Sequence, residues 1–394
     1  MTALDRPEPA SIAAAPPPIP LAQPVLGEAE ELAVLEVLRS GQLSLGPCVP
    51  AFERDFASAV GATCASAVSS GTAGLHLCLR AVGVRDGSEV ITTPFSFVAS
   101  ANVAIYERAR PVFVDIDPVT LNLDAHAAAA AVNSRTAALL PVHVFGYPAD
   151  MVTLEATGVP VVEDACEALG GSYADGRLIG SRGHLAVFAF YANKQITTGE
   201  GGMIVCCDPA VKERLDSERN QGRAPNMDWL DHDRLGFNYR LSDLASALGI
   251  VQLKRLSGLL AARQRVAELY RQALSGLEGV GLPCENRGLE RRGWFVYVIQ
   301  LPHGIDRDGA ITALSKLGVA AKPYFPAIHL MSFYRQTFGF REGQFPVCED
   351  ISARSIAIPF FPQMTESEVS RVAQALAAVI NANGRPPRGL AQEA

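Results

Sequence analysis

The sequence predicts an α/β protein, in which helices cover a mostly parallel sheet, followed by a smaller C-terminal α+β unit. Short β-rich runs alternate with helical stretches between residues 65 and 206. Several of these runs are apolar throughout, as expected of strands that are buried on both faces. A further strand pattern follows a long helical stretch and indicates the second unit. In sheets of this kind ligands gather where the strands end.

The individual elements can be assigned in order. Two helices over residues 27–41 and 49–61 precede the sheet. The strands predicted for the sheet cover residues 65–68, 89–93, 111–115, 137–144, 159–164, 185–190 and 203–206. One long helix is expected from near Leu241 to about Leu274, and the C-terminal unit, over residues 279–383, has a strand pattern at 294–301.

These patterns divide the chain into four segments. We expect a disordered tail at 1–18, a large domain at 19–255, a small domain at 256–383 and a second tail at 384–394. The first tail is rich in Pro and Ala and lacks the basic start and apolar core of a signal peptide.

Composition narrows the possible partners. The net charge is −7 and the sequence pI is about 5.6, without a basic stripe, which argues against nucleic acid or an anionic membrane as partner. No apolar run is long enough to cross a bilayer. The eight cysteines form no C-x-x-C pair, so we interpret them as reduced residues rather than a metal site or a disulfide framework. A cytoplasmic protein with a small-molecule partner is expected.

Lys194 is the residue that most clearly indicates chemistry. The chain has only five lysines, and Lys194 lies between an apolar strand and a glycine-rich turn in FAFYANKQITTGEGG. A lysine amine, unlike a guanidinium, can lose its proton and attack a carbonyl carbon to form a Schiff base. The alternative is a surface or capping lysine after the strand.

Three further segments carry groups that suit a phosphorylated ring. Ser70, Gly71 and Thr72 open a helix after a strand, where backbone N–H groups can bind phosphate, although an ordinary N-cap is equally consistent. Asp164 ends an apolar strand and could pair with a protonated ring nitrogen or cap the next helix. The loop at 95–97 contains two phenylalanines, either of which could cover a flat ring or fill the core.

Together these groups favour pyridoxal phosphate as cofactor. A phosphate nest, an aromatic residue, an acid after a buried strand and a lysine before a glycine-rich turn follow one another along the chain. Neither a G-x-x-x-x-G-K-[ST] loop nor a G-x-G-x-x-G turn between strand and helix is present.

The chain resembles the DegT/DnrJ/EryC1/StrS sugar aminotransferases, a group of fold-type I pyridoxal phosphate enzymes, from about residue 19 to 383. The resemblance is carried, in order, by SGQLSLGP (40–47), SSGTAGLHL (69–77), PFSFVASAN (94–102), PVHVFGYPADM (141–151), VVEDACEALG (161–170), FYANKQITTGEGGMI (190–204), RLGFNYRLSDLASALGIVQL (234–253) and KPYFPAIHL (322–330). It implies a large domain with a mostly parallel sheet and a small α+β domain.

The resemblance also implies roles for particular residues. Lys194 would form the Schiff base, Asp164 would pair with the pyridine nitrogen and Phe97 would cover the ring. Phosphate contacts are implied for Gly71 and Thr72, with Ser70 in support, and for Asn238 of the NYR motif, which would reach in from the neighbouring subunit of a homodimer with shared sites.

Two positions depart from the family pattern. Glu167 stands where relatives often carry Gln or His near the phenolic oxygen of the cofactor, and a carboxylate there could alter the pKa of the Schiff base. Ala189 stands where many relatives have a serine that bonds the phosphate. We expect cofactor binding to persist, because backbone amides and other side chains can offset the lost donor.

The implied reaction moves an amino group from glutamate or glutamine, through pyridoxamine phosphate, to a nucleotide-linked 3-keto or 4-keto sugar. Residues expected to read the substrate are Ser44, Tyr147, Arg240, Lys322, Tyr324 and His329, each of which could instead serve the dimer interface or a salt bridge. A cyclitol ketone as acceptor, a pyridoxal phosphate lyase or dehydratase, and a non-catalytic regulator remain alternatives. The dehydratase branch replaces the lysine by histidine, so Lys194 argues against it.

Overall fold

The computed structural model describes residues 17–224 and 231–383. Most of the first predicted tail and all of the second lie outside these residues. Within them the chain forms two sheets, each covered by helices, as the α/β prediction required. The N-terminal sheet contains seven described strands, β1 (Cys64–Val68), β2 (Glu89–Thr92), β3 (Arg110–Phe113), β4 (Thr136–Leu140), β5 (Val162–Asp164), β6 (Leu185–Ala189) and β7 (Gly202–Cys206).

The N-terminal sheet is mostly parallel, as predicted. Its strand order is β3-β2-β4-β5-β6-β7-β1, because two parallel bridges, Leu139 to Val161 and Val142 to Asp164, join a three-stranded piece to a four-stranded piece. Strand β7 runs antiparallel to both of its neighbours, and the other pairs are parallel. The carboxyl ends of β4, β5 and β6 therefore meet at one edge.

Helices cover both faces of this sheet. They are α1 (Glu28–Ser40), α2 (Cys48–Val60), α3 (Gly71–Ala81), α4 (Ala99–Tyr106), α5 (Ala125–Ala131), α6 (Met151–Glu155), α7 (Pro209–Arg219) and α8 (Asp243–Lys254). Helix α3 packs against β5, β6 and β7, and its residues from Ala73 to Leu79 are all buried. Its Ser70 Oγ accepts a hydrogen bond from the Ala73 N–H at 3.1 Å, which fixes where the helix begins.

The C-terminal part of the chain has a smaller antiparallel sheet of order β8-β10-β9. Its strands are β8 (Tyr297–Gln300), β9 (Lys322–Pro323) and β10 (Ser355–Ile358), and its helices are α9 (Leu256–Leu274), α10 (Arg307–Lys316), α11 (Ser332–Phe338), α12 (Pro346–Arg354) and α13 (Glu366–Asn383). Ile19 also packs here and bridges to Val319, although the predicted boundary assigns it to the first domain.

Two predicted elements differ from the structure. The expected single helix from near Leu241 to about Leu274 is instead the pair α8 and α9, bent by 63°. Helix α8 packs on α1 and α2, whereas α9 packs on α13, so the two halves serve different layers. The strand expected at 137–144 ends at Leu140, and a 3₁₀ turn begins at Val144.

No single helix among the described residues is long and apolar enough to cross a membrane, although the bent α8–α9 pair meets the length and composition criteria when taken together.

Candidate active site

One cavity collects most of the residues predicted to act together. It has a volume of about 440 Å³ and opens at the carboxyl ends of β5 and β6, where Asp164 and Ala189 line it. Eight predicted site residues line this cavity: Ser70, Gly71, Thr72, Phe97, Asp164, Glu167, Lys194 and Tyr324. These residues are separated by up to about 250 positions in the chain, and the sheet edge brings them together.

The N-terminus of α3 forms the phosphate-sized end of the cavity. The N–H of Gly74 makes the first intrahelical bond, to Ser70 O at 3.1 Å, so the N–H groups of Gly71 and Thr72 precede the hydrogen-bonded part of the helix. A Cβ built on Gly71 would lie 2.7 Å from Cys166 Sγ and 2.9 Å from Ala189 Cβ. Only glycine fits at this position, which leaves the backbone open to an anion.

Asp164 is held in one orientation at the end of β5. Its Oδ2 accepts a hydrogen bond from Ser100 Oγ at 2.7 Å, and its Oδ1 accepts one from the Cys166 N–H at 3.2 Å. Ser100 lies on α4, directly after the loop that carries Phe97. Sequence reasoning missed Ser100, although it belongs to the PFSFVASAN segment that was assigned to the site.

Lys194 lies in the turn after β6, and three groups fix its surroundings. Its Nζ is 3.5 Å from Glu167 Oε1 and 3.9 Å from the centre of the Phe295 ring. Its carbonyl oxygen accepts a hydrogen bond from Arg263 Nη2 at 3.1 Å. Phe295 and Arg263 come from the C-terminal part of the chain and carry no local sequence signal, so the sequence analysis did not find them.

Glu167 is a buried carboxylate that faces the lysine amine. Its Oε2 accepts the N–H of Phe145 at 3.0 Å. Burial raises the pKa of Glu167 above its ordinary value, although Lys194 and the Phe145 N–H oppose the shift. Burial also raises the pKa of Tyr324, and the neighbouring Glu167 adds to that effect.

Phe97 lines the cavity with 62% of its surface exposed, so its ring is free to cover a flat ligand. Phe95, the other phenylalanine of that loop, is fully buried against Phe145 and Phe325. Phe95 is therefore a core residue, and Phe97 stays the candidate for covering a flat ring.

The remaining predicted residues do not belong to the described lining of this cavity. Ser44 and Lys322 are exposed, and Asn238 is exposed next to Asn220, to which it is bridged. Arg240 lines a second cavity and donates to Asn220 Oδ1 at 3.0 Å.

Tyr147 and His329 have partners inside the protein. The hydroxyl of Tyr147 donates to Glu290 Oε2 at 2.5 Å, and the Arg292 guanidinium lies 4.8 Å from the centre of its ring. His329 is fully buried, with Nε2 2.9 Å from Glu349 Oε1. In this conformation both side chains stabilise the fold rather than face the cavity.

The lining fits pyridoxal phosphate. It offers an anion-binding helix N-terminus, a fixed carboxylate, a lysine amine and an exposed aromatic ring within one cavity of suitable size. Asn193 Oδ1, also in the lining, is a buried acceptor with no hydrogen-bond partner among the described residues. In the described part of the chain no group of His, Cys, Asp and Glu could hold a metal ion.

Comparison with known proteins identifies the class. The model of the DegT/DnrJ/EryC1/StrS aminotransferase family matches residues 24–377. The spore coat polysaccharide biosynthesis protein SpsC of Bacillus subtilis (strain 168) is 37% identical over 379 residues, 92% of this chain and 97% of SpsC.

Solved structures agree with this match. The aminotransferase TlmJ from Streptoalloteichus hindustanus has a TM-score of 0.86 and 34% identity, covering 92% of this chain and 99% of TlmJ. DesV of S. venezuelae has a TM-score of 0.86 and 31% identity, covering 94% of this chain and all of DesV. The protein is therefore a pyridoxal phosphate-dependent aminotransferase. The chain belongs to the DegT/DnrJ/EryC1/StrS aminotransferase family.

Proposed function

We propose that this aminotransferase moves an amino group from glutamate or glutamine to the ketone of a nucleotide-linked sugar, at its 3- or 4-position. The observation that carries the proposal is the convergence of Lys194, Asp164 and the α3 N-terminus on one cavity. The similarity to a spore coat polysaccharide biosynthesis protein supports a sugar as acceptor.

Each residue has a defined task. When bound, pyridoxal phosphate supplies a carbonyl carbon and an electron-withdrawing ring. Lys194 would bind that carbonyl carbon and, as the free amine, would carry the proton. Asp164, which Ser100 and the Cys166 N–H hold in one orientation, would pair with the protonated ring nitrogen. The N–H groups of Gly71 and Thr72 bind the phosphate, and Phe97 covers the ring.

The mouth of the cavity suits a sugar ring. Phe97 and Tyr191 line it and are 62% and 51% exposed, which leaves apolar faces for the C–H side of a sugar. Tyr324 lines the same cavity and offers a hydroxyl to a sugar oxygen.

We further propose a cytoplasmic homodimer with shared active sites. Asn238 is exposed and does not belong to the described lining of its own cavity, so it is available to a neighbouring subunit. Helix α1 and the loop after it expose a row of apolar side chains that a second copy would cover: Leu32, Leu35, Leu38, Leu43 and Leu45.

The first test is the visible absorption spectrum of the protein with pyridoxal phosphate, before and after glutamate or glutamine is added. We expect the band of the lysine-bound cofactor to be replaced by that of pyridoxamine phosphate, with release of the keto acid. A band that persists with both donors would contradict the proposed donors, and no band at all would contradict the role of Lys194.

The second test identifies the acceptor. The pyridoxamine form is mixed with nucleotide-linked 3-keto and 4-keto sugars and, separately, with an inosose. Return of the original band with a nucleotide-linked sugar alone supports the proposal. Return with the inosose alone would establish a cyclitol aminotransferase instead.

A further inference from the structure

The cavity contains two carboxylates whose hydrogen bonding differs. Both oxygens of Asp164 accept hydrogen bonds, from Ser100 Oγ and the Cys166 N–H. In Glu167 only Oε2 accepts such a hydrogen bond, from the Phe145 N–H at 3.0 Å. Its Oε1 faces Lys194 Nζ at 3.5 Å. Both oxygens of Asp164 are thus engaged, whereas Glu167 has one oxygen directed at the lysine amine.

The spacing between Glu167 and Lys194 is set by the backbone. Gln195 is buried, and its Nε2 donates to Glu167 O at 2.6 Å and to Gly293 O at 2.9 Å. This amide joins the turn that carries Glu167 to the residue directly after Lys194. The backbone of Glu167 is therefore held beside the backbone next to Lys194.

The surroundings favour exchange of a proton between them. The centre of the Phe295 ring lies 3.9 Å from Lys194 Nζ, and Glu167 is only 5% exposed. Removing an ion pair from water costs more free energy than removing a neutral acid and a neutral amine. The charged or titratable groups that face Glu167 are Lys194, Asp164, Cys166 and Tyr324.

We propose that Glu167 is the base that takes the proton of Lys194 and so prepares its amine for attack on the cofactor. An N–H bond of the ammonium breaks and an O–H bond forms on Glu167, which leaves a neutral amine and a neutral carboxyl group. The inference rests on the proposed function, because it assigns the proton acceptor for the same lysine.

The test measures how fast cofactor-free protein captures pyridoxal phosphate, followed by the growth of the visible band in a stopped-flow instrument between about pH 5 and about pH 9. Glu167→Gln keeps the shape of the side chain but cannot accept the proton. The ionisations of the free cofactor are the same in both experiments. The ratio of the two capture rates therefore reports the effect of the Glu167 carboxylate.

We expect this ratio, wild type over Glu167→Gln, to rise with pH as Glu167 ionises and to reach at least about tenfold. The midpoint of the rise should lie above 4.5, the ordinary value for a glutamate, because burial raises the pKa of Glu167. Glu167→Asp retains a carboxylate. The ratio of its capture rate to that of Glu167→Gln should therefore also rise with pH. Glu30→Gln removes a buried carboxylate on α1 that does not line the cavity, and should capture the cofactor like the wild type.

Equal capture rates for the wild type and Glu167→Gln at every pH would overturn the inference and leave the proposed function intact. If the Gln variant does not fold, Glu167→Ala, which also lacks the carboxylate, replaces it, and a capture rate equal to that of the wild type at every pH would overturn the inference equally. Failure of the wild type to develop any band would instead contradict the proposed function itself.

Discussion

Asp164 illustrates how one residue type receives its task from its neighbours. On the sequence alone it could cap a helix or pair with a ring nitrogen. In the structure Ser100 and the Cys166 N–H fix both of its oxygens at the edge of the cavity. A carboxylate held in one orientation at this edge can pair with a protonated ring nitrogen, which is the task we propose for it.

Replacement of Asp164 by Asn should leave the fold intact and slow the first half-reaction at least about a hundredfold, because the shape persists while the charge is lost. The rate is measured by mixing the loaded enzyme with glutamate in a single turnover. Ser100→Ala is the matched control, because it removes one hydrogen bond to Asp164 but keeps the carboxylate. The rate of the half-reaction should fall less in this variant. An unchanged rate in Asp164→Asn would show that the carboxylate has only a structural role.

Replacement of Lys194 by Ala should abolish transamination, with a loss of at least about a thousandfold, because both the attacking amine and the proton carrier disappear. Cofactor binding should persist through the α3 N-terminus. Steady-state activity and equilibrium dialysis measure the two effects separately. Lys316→Ala, an exposed lysine at the end of α10, should behave like the wild type. Turnover in Lys194→Ala at the wild-type rate would contradict the mechanism.

Helix α3 is the element on which the proposed phosphate binding depends. Its first residue, Gly71, is crowded by Cys166 and Ala189. Ala189 adds no hydroxyl group here, so the backbone N–H groups carry more of the binding. The segments that carry Gly71, Cys166 and Ala189 approach closely at this point, which explains why the motif needs a glycine. The motif alone does not reveal this requirement.

Gly71→Ala should weaken pyridoxal phosphate binding by about tenfold or more, since overpacking costs roughly 1–3 kcal/mol and each 1.4 kcal/mol corresponds to about tenfold. An absorption titration measures the affinity. In the control, Gly258→Ala on α9, the added Cβ meets nothing within 4 Å and the affinity should not change. Equal affinities of the two variants would contradict the proposed phosphate site.

Helix α6 is tied to the loop before β6 by Glu155. This residue accepts hydrogen bonds from Arg182 Nε at 2.6 Å, Arg182 Nη2 at 2.6 Å and His184 Nε2 at 2.8 Å. The pKa of Glu155 is lowered to about 2, mainly by the hydrogen bonds from Arg182. The same guanidinium lies 5.1 Å from the centre of the Tyr173 ring.

The contribution of Glu155 to stability should depend on pH. A carboxylate with a lowered pKa stabilises the folded state above its ordinary value of 4.5, and this stabilisation is lost as the pH falls toward 2. Glu155→Gln should therefore lower the free energy of unfolding at pH 7, and the difference from wild type should narrow below pH 4.5. Urea unfolding at several pH values measures it, with the exposed Glu285→Gln as control. A difference that is constant with pH would contradict this role.

At the scale of the whole molecule, Lys194 is held from both parts of the chain. Arg263 on α9 is buried and donates to Lys194 O and to Phe295 O. Burial lowers the pKa of Arg263 to about 10. Helix α9 therefore connects the lysine turn to the segment that places Phe295 beside the amine.

A shared dimer site can be tested with mixed subunits. The Lys194→Ala and Asn238→Asp variants are each expected to be nearly inactive. The two variants are mixed in equal amounts, dissociated and allowed to reassociate. If Asn238 serves the neighbouring site, each mixed dimer has one site without defects, and about one quarter of wild-type activity should return. If Asn238 serves its own subunit, every site carries a defect and no activity returns. Light scattering confirms that dimers have formed.

The sequence by itself determined the fold class, the family and the principal groups of the site. Apolar strands that alternate with helices have few packing solutions, and motifs such as VVEDACEALG and FYANKQITTGEGG carry their chemistry locally. Lys194, Asp164 and the turn at Gly71 and Thr72 could therefore be predicted, and the structure brings them to one cavity.

Only the tertiary structure decided what depends on contacts between distant segments. The surroundings of the site depend on contacts made by Ser100, Phe295 and Arg263. These contacts join distant segments and leave no local pattern in the sequence. Tyr147 and His329 turned inward because buried polar groups need partners, which Glu290 and Glu349 supply. The predicted helix from Leu241 bends because its two halves pack on different layers. Periodicity shows that a segment is helical, but the surfaces on which it packs decide its direction.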